Sequence, residues 1–456
     1  MVAKFKQIIS LALLLPSIAI ANVSEYRLDN GLKLIVKEDH RAPVVVSQVW
    51  YKVGSSYEHN GITGVSHMLE HMMFKGTENL APNEFSQIIA ANGGRENAFT
   101  GRDYTAYFQT LEKERLEVSF RLEAERMRKL VINDAELIKE QLVVAEERRM
   151  RTDDNPRALL REAFNATAFL NSPYHHPIIG WMSDINHYQG NDLRQWYQKW
   201  YAPNNATVVV VGDVIAKDVY SLAKQYFGFL KAEETAQLKP QIEVSQKGKR
   251  SIEVHAPAEL PYLLMGWKVP VIKTVAEQAA WEPYTLDVLA GILDGGNSAR
   301  FSRDLVRGSQ IASVIGVGYG PFSRLADVFT ISATPAQGVT INELQHAVIS
   351  QIDLLKTELV SEEELKRIKA QVVASAVYER DSVFYQAMQI GMLETVGLDW
   401  RLSDEYLANI QSVTAEQIKE VVNKYFIDRT LTVAELIPES LHLEQAINSE
   451  GANDAL

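Results

Sequence analysis

Two stretches of this chain repeat one pattern 225 residues apart, from Lys199 to Lys424. LRQWYQKWYAPNNATVVVVGDV begins at Leu193 and IKEVVNKYFIDRTLTVAELIP at Ile418. Each reads as an amphipathic helix ending in a lysine and two aromatic residues, then a polar turn, then an apolar strand. An offset near half the length of a 456-residue chain predicts two homologous units. Elements between them echo in the same order. ELPYLLMGWKVP resembles APVVVSQVWYKVGS, and YTLDVLAGILDGG stands in the place of GVSHMLEHMMFKG. Strands and helices interleave in each half, so the expected fold class is α+β, with two homologous α+β units, each a mixed sheet packed with helices. An apolar content of 46% supplies material for two cores.

Local signals set the boundaries. YRLDNGLKLIVKED places Asn30-Gly31 between alternating segments, the signature of a hairpin. Val65, Met68, Leu69, Met72 and Met73 recur at helical spacing from Gly64 to Lys75. PNEFSQIIAANG opens on a proline and stops at Gly93, as helices do. ENAFTGRDYTAYFQTL is strand-like, and long amphipathic helices are expected over Glu112–Lys129 and Asp134–Arg151. Residues 231–250 are charged and lack core periodicity, which predicts a linker. The units are therefore expected at 22–230 and 251–440, with a tail at 441–456.

The first 21 residues place Lys4 and Lys6 before an apolar run that ends in Ala19-Ile20-Ala21, a small-x-small cleavage pattern. That predicts a Sec-type signal peptide and a periplasmic mature protein with no stable membrane insertion. The formal charge of −12 argues against nucleic acid as a partner. The chain has no cysteine, so neither disulfides nor thiolate metal ligands are available.

Within GVSHMLEHMMFKGT, His67 and His71 are one helical turn apart, and Glu70 shares their face. Two imidazoles so spaced can hold one Zn²⁺, and a neighbouring glutamate can serve as a base without ligating. This is the H-x-x-E-H order of inverted zincins. Solvated surface residues are the plainer alternative, but the apolar residues around the motif imply a mostly buried helix. Unpartnered polar groups there would be costly. A third ligand is needed, and LIKEQLVVAEERRMRTDDNP offers Glu140, Glu146 and Glu147.

Over nearly its whole length beyond the leader, the sequence resembles the pitrilysin (insulinase-like) family of zinc peptidases. It is most similar to the group containing mitochondrial processing peptidase and its bacterial relatives. SHMLEHMMFKGT, NAFTGRDYTAYF, EQLVVAEERRMRTDDNP, YHHPIIGWMSDI and WYAPNNATVVVVGDV carry the resemblance. It implies Glu147 as the third ligand of one Zn²⁺ per chain and Glu140 as a residue orienting a ligand histidine. It also implies a clam-like cleft between the units that encloses a peptide. Asn97, Ala98 and Thr100 would then lie on an edge strand that pairs with the substrate backbone. In the second half Asp287, Ala290 and Gly291 replace the motif, so that half is expected to be catalytically silent. The resemblance implies Arg307 as a family arginine that grips substrate, with an ordinary surface helix residue as the alternative, and Ser313 or Val314 stands where its partner tyrosine belongs. That departure implies a homodimer, or a heterodimer with a homologous subunit carrying the Arg/Tyr pair. The expected function is an exported zinc endopeptidase with Glu70 as general base. The alternative is a non-enzymatic peptide-binding or scaffold subunit of the same fold.

Overall fold

Asn30 and Gly31 turn the chain between β1 (Val23–Arg27) and β2 (Lys33–Glu38), with Gly31 at φ +87°. The computed structural model describes residues 23–234 and 238–439. The expected signal peptide and the C-terminal tail lie outside the described residues.

Beyond the hairpin the first sheet adds β3 (Val44–Tyr51), β4 (Arg95–Thr100), β5 (Thr105–Glu112) and β6 (Ala206–Gly212), in the order β1-β2-β6-β3-β5-β4. β2 and β6 run parallel, and the other neighbours are antiparallel. The second sheet contains β7 (Arg250–Pro257), β8 (Tyr262–Val269), β9 (Ala312–Gly318), β10 (Asp327–Pro335) and β11 (Leu431–Glu439), in the order β7-β11-β8-β10-β9. Here β7 and β11 form the parallel pair. Strand for strand this repeats the first sheet without β1, as the 225-residue echo predicts. Strands β4 and β9 are the corresponding edges.

The helices of the first half are α1 (Val65–Met72), α2 (Glu84–Ala91), α3 (Leu116–Lys129), α4 (Asp134–Arg148), α5 (Pro156–Ala168), α6 (Met182–Ile185), α7 (Gly190–Trp200) and α8 (Ala216–Phe227). The second half has α9 (Glu282–Asp294), α10 (Ile341–Thr357), α11 (Glu362–Glu379), α12 (Val383–Thr395), α13 (Leu402–Ser412) and α14 (Ala415–Tyr425). Three details differ from the sequence pattern. Glu112 closes β5, and α3 begins only at Leu116 after a 3-10 turn over Lys113–Arg115, because Glu112 caps that turn by accepting from the Glu114 N–H. Pro82 precedes the Asn83 cap of α2 rather than opening the helix, because Asn83 adopts φ +65°. α4 stops at Arg148 and passes into a π-helical turn over Arg149–Asp153, so its periodicity breaks before Arg151.

Each half has its own apolar core, and two smaller cores join the halves. Those two arise from an exchange of helices. α5 leaves the first half and packs on β7, β8 and β11, burying Leu160, Phe164 and Ala168 against Leu264 and Leu436. α12 leaves the second half and packs on β3 and β6, burying Ala387 and Ile390 against Val46, Trp50 and Val209. The contacts are reciprocal in shape. The Phe164 ring lies where a Cβ on Gly266 would sit, 2.5 Å away, and the Trp50 ring abuts Gly391 at 2.1 Å by the same measure. Ion pairs Arg102–Asp327 and Arg324–Asp103, both at 3.3 Å, also cross the seam.

Residues 238–249 carry no helix or strand but are anchored. The Glu243 carboxylate accepts from the N–H groups of Leu170, Asn171 and Ser172 and from Lys268, while Gln246 donates to the Leu431 carbonyl. Among the described residues, no helix is long and apolar enough to cross a membrane.

Candidate metal centre

The helix that carries the histidines starts where two backbones meet. Gly64 and Gly180 adopt φ +84° and +91°, and a Cβ on either would meet the carbonyl oxygen of Ile179 or Thr63 within 2.3 Å. Only glycine permits that approach. Glu58 then caps α1, its carboxylate accepting from the Gly64 N–H at 2.6 Å and the Ser66 N–H at 2.8 Å. Asp184 takes the N–H groups of Gly61 and Thr63, and Trp196 donates to Ser66 Oγ. Val65, Met68, Leu69 and Met72 are fully buried. Burial of this stripe turns His67, Glu70 and His71 toward α4 and β4, which pack against α1.

α4 presents Glu140 and Glu147 two turns apart. Glu147 Oε2 lies 3.4 Å from His71 Nε2 and 3.8 Å from His67 Nε2. One ligand atom from each of the three residues falls within 4.8 Å of the others. Glu146 points away, 60% exposed and paired with Arg149. The three remaining alternatives of the sequence thus separate in space: Glu147 faces the histidines, Glu140 stands behind them and Glu146 faces solvent. The Glu140 carboxylate accepts from His71 Nδ1 at 3.2 Å and pairs with Lys75 at 2.6 Å. That bond holds the proton on Nδ1 and leaves Nε2 directed at Glu147.

The donor set fits zinc. Tetrahedral ligands about 2.0–2.1 Å from Zn²⁺ stand roughly 3.3 Å apart, close to the distances from Glu147 Oε2 to the two histidines. Nitrogen and oxygen donors suit zinc where no thiolate exists. Burial and the neighbouring His71 push His67 down to about 4, so it stays neutral, as a ligand must. His71 is carried up to about 9 although burial opposes it, because Glu140 and Glu147 both accept from it. The His71 contact holds the Glu147 carboxyl below its usual range.

Glu70 sits beside this group. Thr100 Oγ1 donates to its Oε2 at 2.5 Å, and burial pushes its carboxyl up. Thr100 ends the edge strand β4, so the strand and the acid are joined by a side-chain bond. Asn97, Ala98 and Thr100 line the same cleft of about 1080 Å³ as His67, Glu70, His71 and Glu147. β4 pairs with β5 alone, and its outer edge has no strand partner among the described residues.

Arg307 is not brought to this cleft. It lies in a π-helical turn before β9, exposed, donating to the carbonyls of Asn297 and Ser302 in its own loop. Ser313 donates to the Thr334 carbonyl within the second sheet, and Val314 is 63% exposed. Conversely, Arg151, Arg157, Arg161 and His176 line the cleft without having been singled out from sequence. The run RMRTDDNPRALLREAF carried that signal in its arginine density, but no periodicity says which cavity a surface arginine faces.

Known proteins resemble the chain throughout. Residues 33–181 match the family model described as insulinase (peptidase family M16), and 188–372 match that of the peptidase M16 inactive domain. Zinc protease PqqE of Helicobacter pylori is 33% identical over 421 residues, covering 90% of this chain and 92% of that protein. The crystal structure of a protease from Helicobacter pylori superposes with a TM-score of 0.86 at 32% identity, over 92% of this chain and all of that one. A peptidase M16 inactive domain from Pseudomonas fluorescens shares the fold at 19% identity, with a TM-score of 0.82 over 92% of this chain and 98% of that one.

Proposed function

The chain belongs to the insulinase family of peptidases, M16, and from that premise we propose that it is an exported zinc endopeptidase acting on peptides or unfolded segments. The observation that carries the proposal is the convergence of His67 Nε2, His71 Nε2 and Glu147 Oε2 inside a cleft whose wall includes an open sheet edge.

His67, His71 and Glu147 would hold one Zn²⁺ per chain. When bound, the ion polarises a peptide carbonyl and acidifies water at neutral pH. The substrate strand adds to β4, its main chain pairing with the open edge at Asn97 and Ala98 while Thr100 keeps Glu70 aligned. Glu70 has Oε2 engaged by Thr100, leaving Oε1 to take a proton from the attacking water and to deliver it to the leaving amine nitrogen. Glu140 acts through His71, holding its ring in the orientation that presents Nε2.

Because Arg307 is turned into its own loop and Ser313 or Val314 stands in place of the family tyrosine, we propose that a homologous subunit supplies further grip on the substrate, as a homodimer or a heterodimer. Export through residues 1–21 places the activity in the periplasm.

A quenched-peptide assay, with and without chelator, with metal analysis of the same preparation, tests the function. The expected result is chelator-sensitive cleavage and one zinc per chain. Retention of zinc without cleavage of any peptide, alone or mixed with a homologous subunit, would instead favour a peptide-binding scaffold.

A further inference from the structure

Arg157 and Arg161 line the cleft that holds His67, Glu70 and His71, and the chemistry above uses neither. They sit four residues apart on α5 and so share a face. Local electrostatics opposes them twice. Like charges at this spacing repel. Arg157 also occupies the first turn of α5, directly after the Asn155 cap and Pro156, where the helix dipole disfavours a cation. That turn contains no acidic residue. Arg161 stands in the second turn of the same helix.

The acids that line the same two cavities are engaged elsewhere. Glu162 forms a two-bond pair with Arg148 at 2.8 Å, Glu147 contacts Arg151 and His71, and Asp327 pairs with Arg102. Arg157 is itself fixed at the seam between halves. Its guanidinium lies 4.6 Å from the Tyr262 ring centroid and reaches Thr334 Oγ1 at 3.4 Å. Arg161 is exposed and makes no hydrogen bond or ion pair among the described residues. It also borders a smaller cavity of about 180 Å³ that adjoins β8, β9 and β10. One guanidinium is thus held in place, and a second stands free one turn along, with the positive end of α5 beside them.

Resting on the peptidase reading, we propose that Arg157 and Arg161 form a subsite for a carboxylate of the bound peptide away from the scissile bond. Planar guanidinium forks match a carboxylate, and the field of the helix start adds to the attraction. The carboxylate comes from an acidic side chain or from the peptide's C-terminus, and both present the same group.

The test is a series of quenched peptides with one core sequence, in which Glu replaces Gln at one position at a time, plus one pair with free and amidated C-termini. kcat and KM are measured separately for the wild type, Arg161→Glu and Arg161→Lys. The same labelled peptides are titrated by anisotropy onto Glu70→Gln, with and without Arg161→Glu. A subsite lowers KM about tenfold for Glu over Gln at one position, or for the free over the amidated terminus, with kcat within twofold. Arg161→Glu inverts that ratio and Arg161→Lys recovers part of it. An acidic side chain as the source shows as a position-specific gain, and a terminal carboxylate as a gain confined to the free acid. Equal Glu-to-Gln and free-to-amidated ratios in the wild type and Arg161→Glu would overturn the subsite, whatever the turnover. If no peptide is cleaved but carboxylate peptides bind more weakly once Arg161 is reversed, the peptidase reading fails and the subsite stands.

Discussion

Glu70, half-buried, and Glu140, buried, are both acids near the same two histidines, yet their contacts give them different work. Glu70 touches Thr100 of the edge strand, whereas Glu140 touches the far nitrogen of His71 and Lys75. Glu70→Gln is therefore expected to lower kcat by at least about 10²–10⁴-fold while zinc content stays at the wild-type level. Glu140→Ala is expected to weaken zinc affinity by about 10–100-fold, measured by competition with a chromophoric chelator. A Glu70→Gln variant with wild-type turnover would remove the acid from the chemistry. The histidines and Glu70 were legible in sequence because helical spacing alone puts i, i+3 and i+4 on one face. Glu147 was not legible from spacing, since Glu146 differs from it by one residue and only packing of α4 on α1 says which carboxylate looks inward. Arg157 and Arg161 were missed for a related reason: the cleft that they face is assembled from α1, β4, α4 and α5, segments far apart in sequence, with Tyr262 of the second half at its rim.

At the scale of elements, the position of α1 depends on the backbone contact between Gly64 and Gly180, which lie in segments more than a hundred residues apart. Gly180→Ala adds a Cβ 2.2 Å from the Thr63 carbonyl oxygen at a positive φ. The left-handed conformation alone costs about 1–2 kcal/mol for a non-glycine residue. The variant is expected to lower the melting temperature and to weaken zinc binding together, because the strain falls on the start of the metal-bearing helix. At the seam, Phe164→Ala is expected to cost about 3–5 kcal/mol by urea denaturation, since the ring fills the space left by Gly266. Most elements were visible in the pattern of apolar residues. The π-helical turn at Arg149–Asp153 and the left-handed Asn83 cap of α2 were not, because each follows from local backbone geometry that hydrophobic spacing does not encode.

For the whole molecule, the exchange of α5 and α12 makes each half complete the other. Asp39 reports on that union: its carboxylate binds Arg41, which also pairs with Asp381, and accepts from Gln386 on α12. Arg41 holds the Asp39 carboxyl down at about 2, against 3.8 ordinarily. A depressed native value means that the unfolded chain takes up the proton first. This contribution is full above pH 4 and is lost as pH falls toward 2, at most about 2 kcal/mol. Asp39→Asn should flatten that part of the stability profile measured by urea midpoints at pH 2–5. An unchanged acid slope would show that the latch adds nothing. The sequence by itself determined the two-fold repetition, the α+β class and the grouping of His67, Glu70 and His71, because these rest on periodicities of two, 3.6 and 225 residues that the chain carries locally. Only the tertiary structure decided which helix covers which sheet, which glutamate meets the histidines, that Arg307 turns away from the cleft and which arginines enter it. Those outcomes depend on shape fit between distant surfaces, Phe164 with Gly266 and Trp50 with Gly391, and a repeat pattern is identical whether its helices stay home or are exchanged.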